Sequence, residues 1–171
     1  MPSTSGVFDY VEWVVSSILS DAEKDTLCAK SPISIGSMCS GMGTEDLACR
    51  AIETAILLTG RGNFKMASTY KAECNTDKIA FLQCRALAHM HAFPSNASLA
   101  HAEVEDVNGQ TMPRPTSQIL TAGIVCIDIS SLSGTPKAVS GKGKSGDSLR
   151  GLLDSLRSMS LGERPPAVLL E

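Results

Sequence analysis

The sequence predicts an α/β protein built on a doubly wound, mainly parallel sheet. Apolar runs of strand length alternate with longer runs of helical spacing, as expected where helices connect parallel strands. A glycine turn, Gly41-Met42-Gly43, follows the first strand-like run, and a later run leads to Cys126 before a long loop of Gly, Ser and Lys. Both features belong at the carboxyl ends of strands, where open α/β sheets bind ligands.

Composition favours one globular domain of the soluble class. The chain has 171 residues, of which 43% are hydrophobic and 19% charged, which excludes a disordered protein. Its net charge of −3 leaves only local attraction to nucleic acid. The sequence shows no signal core and no apolar run of membrane length, so we expect a nuclear or cytoplasmic protein that is neither secreted nor in a membrane. The six cysteines lack zinc-type spacing, so no metal site is predicted.

Hydrophobic spacing, helix caps and helix breakers predict the order of elements. An amphipathic helix within residues 1–30 is expected to pack on a domain of residues 31–171, in which Thr44 caps the second helix. In chain order, helices are predicted over 7–27, 44–60, 76–90 and 148–160, and strands over 33–38, 64–73, 102–104, 119–127 and 167–171.

The glycine turn indicates a class of ligand. A nucleotide-triphosphate loop needs Gly-Lys-Ser/Thr, but Gly43 is followed by Thr44 and Glu45, and Asp46 stands where a dinucleotide motif needs a small residue. Two carboxylates at a helix start repel pyrophosphate but tolerate the ammonium and sulfonium groups of S-adenosylmethionine, whose carboxylate could meet free backbone N–H groups. Glu73, at the end of the next strand, could accept hydrogen bonds from both ribose hydroxyls. A plain turn and a solvated strand-end charge are the alternatives.

The second candidate site centres on Cys126. The later loop and helix start, residues 132–151, carry four basic side chains against one carboxylate, namely Lys137, Lys142, Lys144 and Arg150 against Asp147. Cationic neighbours favour the thiolate form of a cysteine and could also hold phosphates. The alternatives are an inert core thiol and a flexible, solvated linker.

Four segments, in order, resemble motifs of the cytosine-5 DNA methyltransferases. Ser40-Gly-Met-Gly-Thr-Glu-Asp-Leu is similar to the first motif, and Glu73-Cys-Asn-Thr-Asp-Lys to the acidic ribose motif. Cys126-x-x-x-Ser130, with the Gly/Lys loop and Asp147-Ser-Leu-Arg-Gly-Leu after it, resembles the nucleophile loop. Pro165-Pro-Ala-Val-Leu-Leu-Glu171 resembles the strand that enters the Glu-Asn-Val motif. The resemblance implies a Rossmann-like S-adenosylmethionine-dependent methyltransferase fold, incomplete at its carboxyl end.

The resemblance also implies a mechanism, in which Cys126 adds to C6 of a flipped cytosine in DNA, Glu171 hydrogen-bonds N3, and C5 takes the methyl group of S-adenosylmethionine. The implied cofactor residues are Ser40, Gly41, Met42, Gly43, Thr44, Glu73, Cys74 and Glu103, and the implied substrate-loop residues are Ser130, Lys137, Lys142, Lys144 and Arg150.

Three alternatives to a DNA methyltransferase stay open. A tRNA cytosine-5 methyltransferase shares these motifs. A non-catalytic relative that binds S-adenosylmethionine or a partner is favoured by Val125, which stands where the family has proline, and by the absence of the family's carboxyl half from this sequence. The third is a methyltransferase for another substrate, with Cys126 structural. We expect the 171 residues alone to be weakly active or inactive.

Overall fold

The computed structural model describes residues 6–39, 44–85, 91–123 and 144–170. Helices and strands alternate along most of the chain, as the sequence pattern predicts. The α-helices are α1 Val7–Ile18, α2 Asp21–Ala29, α3 Thr44–Leu58, α4 Thr76–Arg85 and α5 Lys144–Ser158. The strands are β1 Ile33–Met38, β2 Met66–Ala72, β3 His91–Phe93, β4 Glu103–Glu105, β5 Thr111–Pro113, β6 Ile119–Ala122 and β7 Ala167–Leu170, and a 3₁₀ turn covers Ala97–Ala100.

Five strands form the main sheet, in the order β3-β2-β1-β6-β7. The pairs β2–β3, β1–β6 and β6–β7 are parallel, and β1 meets β6 with Ile35 opposite Ile119 and Met38 opposite Ala122. The chain moves outward from β1 to β3 and then returns to the other side of β1 through β6 and β7. This reversal is the topological switch of a doubly wound sheet, so the predicted fold class is confirmed.

The chain divides into two compact units. The first comprises residues 1–34 and 43–67 and contains α1, α2 and α3, with α1 packed against α3. Its buried apolar side chains include Val15, Ala51, Ala55 and Ile56. The second unit comprises residues 35–42 and 68–171 and contains the rest of the chain, including most of the sheet. Among the described residues, no helix is both long and apolar enough to cross a membrane.

The prediction of one helix over residues 7–27 is wrong, because the chain starts a new helix at Ser20. The Ser20 hydroxyl accepts a hydrogen bond from the backbone N–H of Glu23, and the Glu23 carboxylate accepts one from the backbone N–H of Ser20 at 2.8 Å. This reciprocal capping box satisfies free donors at a helix start. The run of apolar positions continues across the break, so spacing alone does not reveal it.

The core of the second unit lies on the main sheet. Tyr70 and Phe93 meet edge to face with ring centroids 6.4 Å apart, and both rings are buried. Gly36 on β1 lies under the Tyr70 ring, where any side chain would overlap the phenol. A glycine here therefore serves close packing between strands. The cluster comprises Met38, Tyr70, Ala72, Phe93, Leu99, Val104, Leu120, Ala122 and Leu152.

The prediction for the third strand of the sheet is wrong. The strand near residues 102–104 exists, as β4, but it pairs antiparallel with β5 in a separate two-stranded sheet. The third strand of the main sheet is β3, whose Tyr70–His91 and Ala72–Phe93 pairings fix it beside β2. β3 has only three residues and begins with histidine, so it lacks the long apolar run that marks the other strands.

Candidate functional site

The segments that follow β1, β2 and β3 meet at the carboxyl edge of the main sheet. Cys39 follows β1, Cys74 comes two residues after the end of β2, and Ser95 two residues after the end of β3. All three line one cavity with a volume of about 330 Å³. A volume of this order suits a small molecule or a large part of one. The cavity lies where open α/β sheets bind their ligands.

The fourth wall of this cavity is the amino half of α5. The lining residues are Cys39, Cys74, Ser95, Asn96, Ala97, Asp147, Ser148 and Gly151. One carboxylate and no basic side chain are present among these described lining residues. The carboxylate is that of Asp147, which pairs with Arg150 on the same helix.

Asn96 joins three of the segments that form the cavity. Its side-chain oxygen accepts a hydrogen bond from the backbone N–H of Cys39 at 3.2 Å. Its side-chain N–H₂ group donates to the sulfur of Cys39 at 3.1 Å and to the backbone oxygen of Ser148 at 3.4 Å. Asn96 is only 8% exposed, so both ends of its amide are committed in a buried setting.

Two further contacts fix α5 against the same loop. Ser155, which is fully buried, donates from its hydroxyl to the backbone oxygen of Asn96 at 2.7 Å. Gly151 lets the helix approach, because a Cβ there would lie 3.2 Å from Cβ of Asn96 and 3.3 Å from the backbone nitrogen of Ala97. The Ser148 hydroxyl lies 2.8 Å from the sulfur of Cys39. The amino half of α5 is thus tied to the ends of both β1 and β3.

Cys39 itself has an unusual backbone. Its φ of 55° lies in the left-handed region, which is uncommon for a residue other than glycine. The hydrogen bonds from Cys39 to Asn96 and its contact with Ser148 hold this conformation. Backbone strain of this kind often collects where a chain must turn sharply beside a ligand.

Cys74 and Glu73 form the part of the site that follows β2. The Glu73 side chain is buried, and its carboxylate accepts a hydrogen bond from the backbone N–H of Asn75 at 2.9 Å. Partial desolvation raises the pKa of the Cys74 thiol, and electrostatic repulsion from the neighbouring Glu73 and Cys39 raises it further. Cys74 is therefore a neutral thiol at physiological pH, not an activated nucleophile.

Several predicted site residues lie outside the described part of the chain, so their roles stay predictions. These are Ser40, Gly41, Met42, Gly43, Cys126, Ser130, Lys137, Lys142 and Glu171. In the sequence, Cys126 comes three residues after Gly123, whose backbone N–H donates to the oxygen of Met38 on the neighbouring strand. Glu171 directly follows Leu170, the last residue of β7.

The remaining predicted residues are described, and the structure places them in different surroundings. Thr44 is the first residue of α3, in the first unit. Glu73 and Cys74 lie at the cavity or next to it, whereas Glu103 is exposed on the separate β4–β5 hairpin. Lys144 opens α5, and Arg150 forms an ion pair with Asp147 on the same helix.

Sequence reasoning missed Asn96, Ser148 and the contribution of Cys39. A signal for Asn96 exists in the run His91-Ala-Phe-Pro-Ser-Asn, because a proline just after two apolar residues suits the end of a strand. Taking it as a strand end would have put Asn96 at the carboxyl edge of the sheet.

Comparison with known proteins gives only distant structural likenesses. No protein-family model matches the chain, and no curated protein matches it. A solved structure from Listeria monocytogenes, described only provisionally as an S-adenosylmethionine-dependent methyltransferase, matches with a TM-score of 0.32 and 10% sequence identity. The match covers 72% of this chain and 45% of that one, so this chain spans less than half of that protein.

Proposed function

We propose that the cavity at the carboxyl edge binds S-adenosylmethionine, and that the chain carries the cofactor-binding part of an enzyme that methylates C5 of cytosine in DNA. The observation that carries the first half is the cavity itself. It lies at the ends of β1, β2 and β3, and Cys39 and Cys74, which line it, stand directly beside the two segments that resemble cofactor motifs. The second half rests on the segments around Cys126 and Glu171, which resemble the catalytic motifs.

The described residues fit S-adenosylmethionine by their charge and by their polarity. The cavity wall carries the carboxylate of Asp147, and Glu73 is next to Cys74 on the same segment. The carboxylate of Asp147 is paired with Arg150, so Glu73 is the acid that would favour positive charge on the nitrogen and sulfur of the ligand and would accept hydrogen bonds from its ribose hydroxyls. The neutral thiol of Cys74 leaves the wall apolar enough to face a heteroaromatic ring.

The cofactor would supply an electrophilic methyl group, and the chain's own residues would supply the rest of the chemistry. The thiolate of Cys126 forms a bond to C6 of cytosine, which makes C5 nucleophilic. Glu171 hydrogen-bonds N3 and stabilises the charge that develops in the ring. After methyl transfer, C5 loses its proton and the C6–sulfur bond breaks, which returns the thiolate.

A binding experiment tests the cofactor half of the proposal. Titration calorimetry of the 171-residue chain with S-adenosylmethionine should show binding at one site. Glu73→Gln should weaken that binding by about tenfold, because it removes a charged acceptor of ribose hydrogen bonds. Asn63→Asp, at an exposed position of the first unit, is the control and should bind as the wild-type protein does. The absence of binding to the wild-type chain would reject a cofactor site here.

A trapping experiment tests the reaction. DNA that contains 5-fluorocytosine holds the enzyme covalently, because fluorine at C5 blocks the proton loss that normally releases it. The protein from the full reading frame that contains this sequence should form an adduct with such DNA, and Cys126→Ala should abolish it. An adduct with 5-fluorocytosine RNA alone would indicate a tRNA enzyme. Cofactor binding without either adduct would indicate a non-catalytic relative and overturn the proposed reaction.

A further inference from the structure

We propose that Asn96 is a positioning residue that couples ligand binding in the cavity to the docking of α5 on the sheet. The inference deepens the proposed function and rests on it for the choice of S-adenosylmethionine as the probe. It predicts that the ligand, once bound, stabilises α5 between Ser148 and Ser155. It also predicts that this stabilisation passes through one side-chain amide.

The contacts of Asn96 are the first ground for this proposal. Its amide binds Cys39 through both of its polar atoms and also binds the backbone oxygen of Ser148. These partners lie 57 and 52 residues away in the sequence, so the amide links segments that no local structure connects. Asn96, Cys39 and Ser148 all line the cavity, so a ligand that fills it contacts the link itself.

The tight fit of α5 is the second ground. Gly151 brings the helix within van der Waals distance of Asn96, and the Ser155 hydroxyl donates to the Asn96 backbone oxygen at 2.7 Å. Because α5 packs this closely on the loop that contains Asn96, the helix is either docked on that loop or displaced from it, without intermediate positions. A ligand that contacts both Ser148 and Asn96 binds the docked arrangement better than a displaced one. Linkage then requires that binding stabilise docking and that docking strengthen binding.

Asn96→Asp breaks the proposed link with almost no change in shape. The acceptor for the Cys39 N–H is kept, but the donor is replaced by a second oxygen. That oxygen would face the Cys39 sulfur at 3.1 Å and the Ser148 backbone oxygen, which can only accept, at 3.4 Å. Both hydrogen bonds donated by the amide are lost and the Ser148 oxygen is met by repulsion, so the variant should loosen α5 from the cavity wall.

Hydrogen exchange monitored by mass spectrometry is the test. In the wild-type chain, saturating S-adenosylmethionine should slow exchange of the amides of residues 149–156 by about tenfold, the effect of a ligand present at roughly ten times its Kd. In Asn96→Asp this protection should largely disappear, and the Kd should rise by about tenfold. Asn63→Asp makes the same chemical change at an exposed site and should behave as the wild type in both measurements.

Gly151→Ala is a second variant that keeps the proposal falsifiable should Asn96→Asp fold poorly. Alanine raises intrinsic helix propensity, but the new Cβ would press on Cβ of Asn96 and on the Ala97 nitrogen whether or not the ligand is bound. A purely structural role therefore predicts that the ligand still slows exchange of residues 149–156 by the wild-type factor. Coupling predicts that this factor becomes smaller.

The outcomes also separate this proposal from the proposed function. Binding to the wild-type chain without protection of residues 149–156 would overturn the coupling and leave the cofactor site standing. Equal protection in wild type and in both variants would overturn the role of Asn96. If S-adenosylmethionine neither binds nor protects the wild-type chain, the cofactor site fails, and the coupling fails with it.

Discussion

Two parts of α5 are held in place by different chemistry. Between Ser148 and Ser155, which we call the neutral end, the contacts are an amide, two hydroxyls and a thiol around Asn96. At the carboxyl end, the contacts are charged: the buried guanidinium of Arg114 donates to the hydroxyl of Ser158 at 2.6 Å, to the Ser158 backbone oxygen at 3.3 Å and to the carboxylate of Glu163 at 3.1 Å. Arg114 also binds the backbone oxygen of Leu99 at 3.3 Å.

This difference suggests a division of labour along one helix. A buried guanidinium with several partners makes strong hydrogen bonds and leaves costly unpaired groups when it is removed. Neutral hydrogen bonds contribute less each, so a ligand of moderate affinity can shift their equilibrium. The charged end therefore secures the fold, and the neutral end, which lines the cavity, is the one that can respond to what binds there.

Removal of Arg114 should have the largest effect on stability. Arg114→Ala deletes a side chain that is 2% exposed and leaves the oxygens of Leu99 and Ser158 without their donor. We expect the free energy of unfolding to fall by about 3 kcal/mol. Urea denaturation followed by circular dichroism measures this change.

The matched control is Arg157→Ala on the same helix. Arg157 is 75% exposed and its ion pair with Asp154 is long, at 3.7 Å, so its loss should change the free energy of unfolding by less than about 0.5 kcal/mol. Similar urea midpoints for the two variants would show that the charged end of α5 does not secure the fold.

Ser155→Ala should have a smaller effect at the neutral end. The variant loses the hydrogen bond from the buried hydroxyl to the Asn96 oxygen, which still accepts one from the backbone N–H of Leu99 at 3.1 Å. Because no buried group is left without a partner, we expect a loss of about 1 kcal/mol in the free energy of unfolding. Ser16→Ala, at an exposed helical site with a comparable local hydrogen bond, should be close to neutral. An equal loss at both sites would mean that the contact with Asn96 adds nothing.

The same comparison shows what the sequence can and cannot predict. Hydrophobic spacing predicted α5, β6 and β7, because the run of apolar residues in each is long enough to show the repeat of a helix or a strand. The alternation of strands and helices along the sequence also predicted the doubly wound sheet, which the structure confirms. Hydrophobic spacing missed β3, since three residues are too few to show a period. The strand at 102–104 was then predicted to belong to the main sheet, because in the sequence it comes after the helix that was expected to precede the third strand.

The candidate site was harder to predict than the fold. Glu73 and Cys74 could be expected at the carboxyl edge, because they directly follow a strand of recognisable length. The run that ends at Asn96 could have placed this residue at the same edge, but its contact with Cys39 and that of Ser148 could not be predicted, since they join positions 57 and 109 residues apart. Such contacts depend on how the segments pack in three dimensions, and no spacing rule along the chain contains that information.

The smallest expected effect concerns acid stability at the charged end of α5. Hydrogen bonds from Ser160 and Arg114 lower the pKa of Glu163 from its ordinary value of 4.5 to about 2. Because the folded pKa is lowered, the stabilisation by Glu163 is fully present above pH 4.5 and is lost as the pH falls through about 2. Wild type should therefore exceed Glu163→Gln in free energy of unfolding by a constant margin above pH 4.5, and the margin should shrink towards pH 2.

The difference in free energy of unfolding between wild type and Glu163→Gln reports on Glu163 alone and not on other acids. Asp106 also has a lowered pKa; burial alone would raise it, but hydrogen bonds from Gln110, Asn108 and His91 outweigh that effect. Asp106 titrates identically in both proteins, so it cancels from the margin. Urea midpoints measured at several pH values between 2 and 7 give the margin directly. A margin that stays flat down to pH 2 would show that Arg114 and Ser160 do not hold this carboxylate, and that charge does not distinguish the two ends of α5.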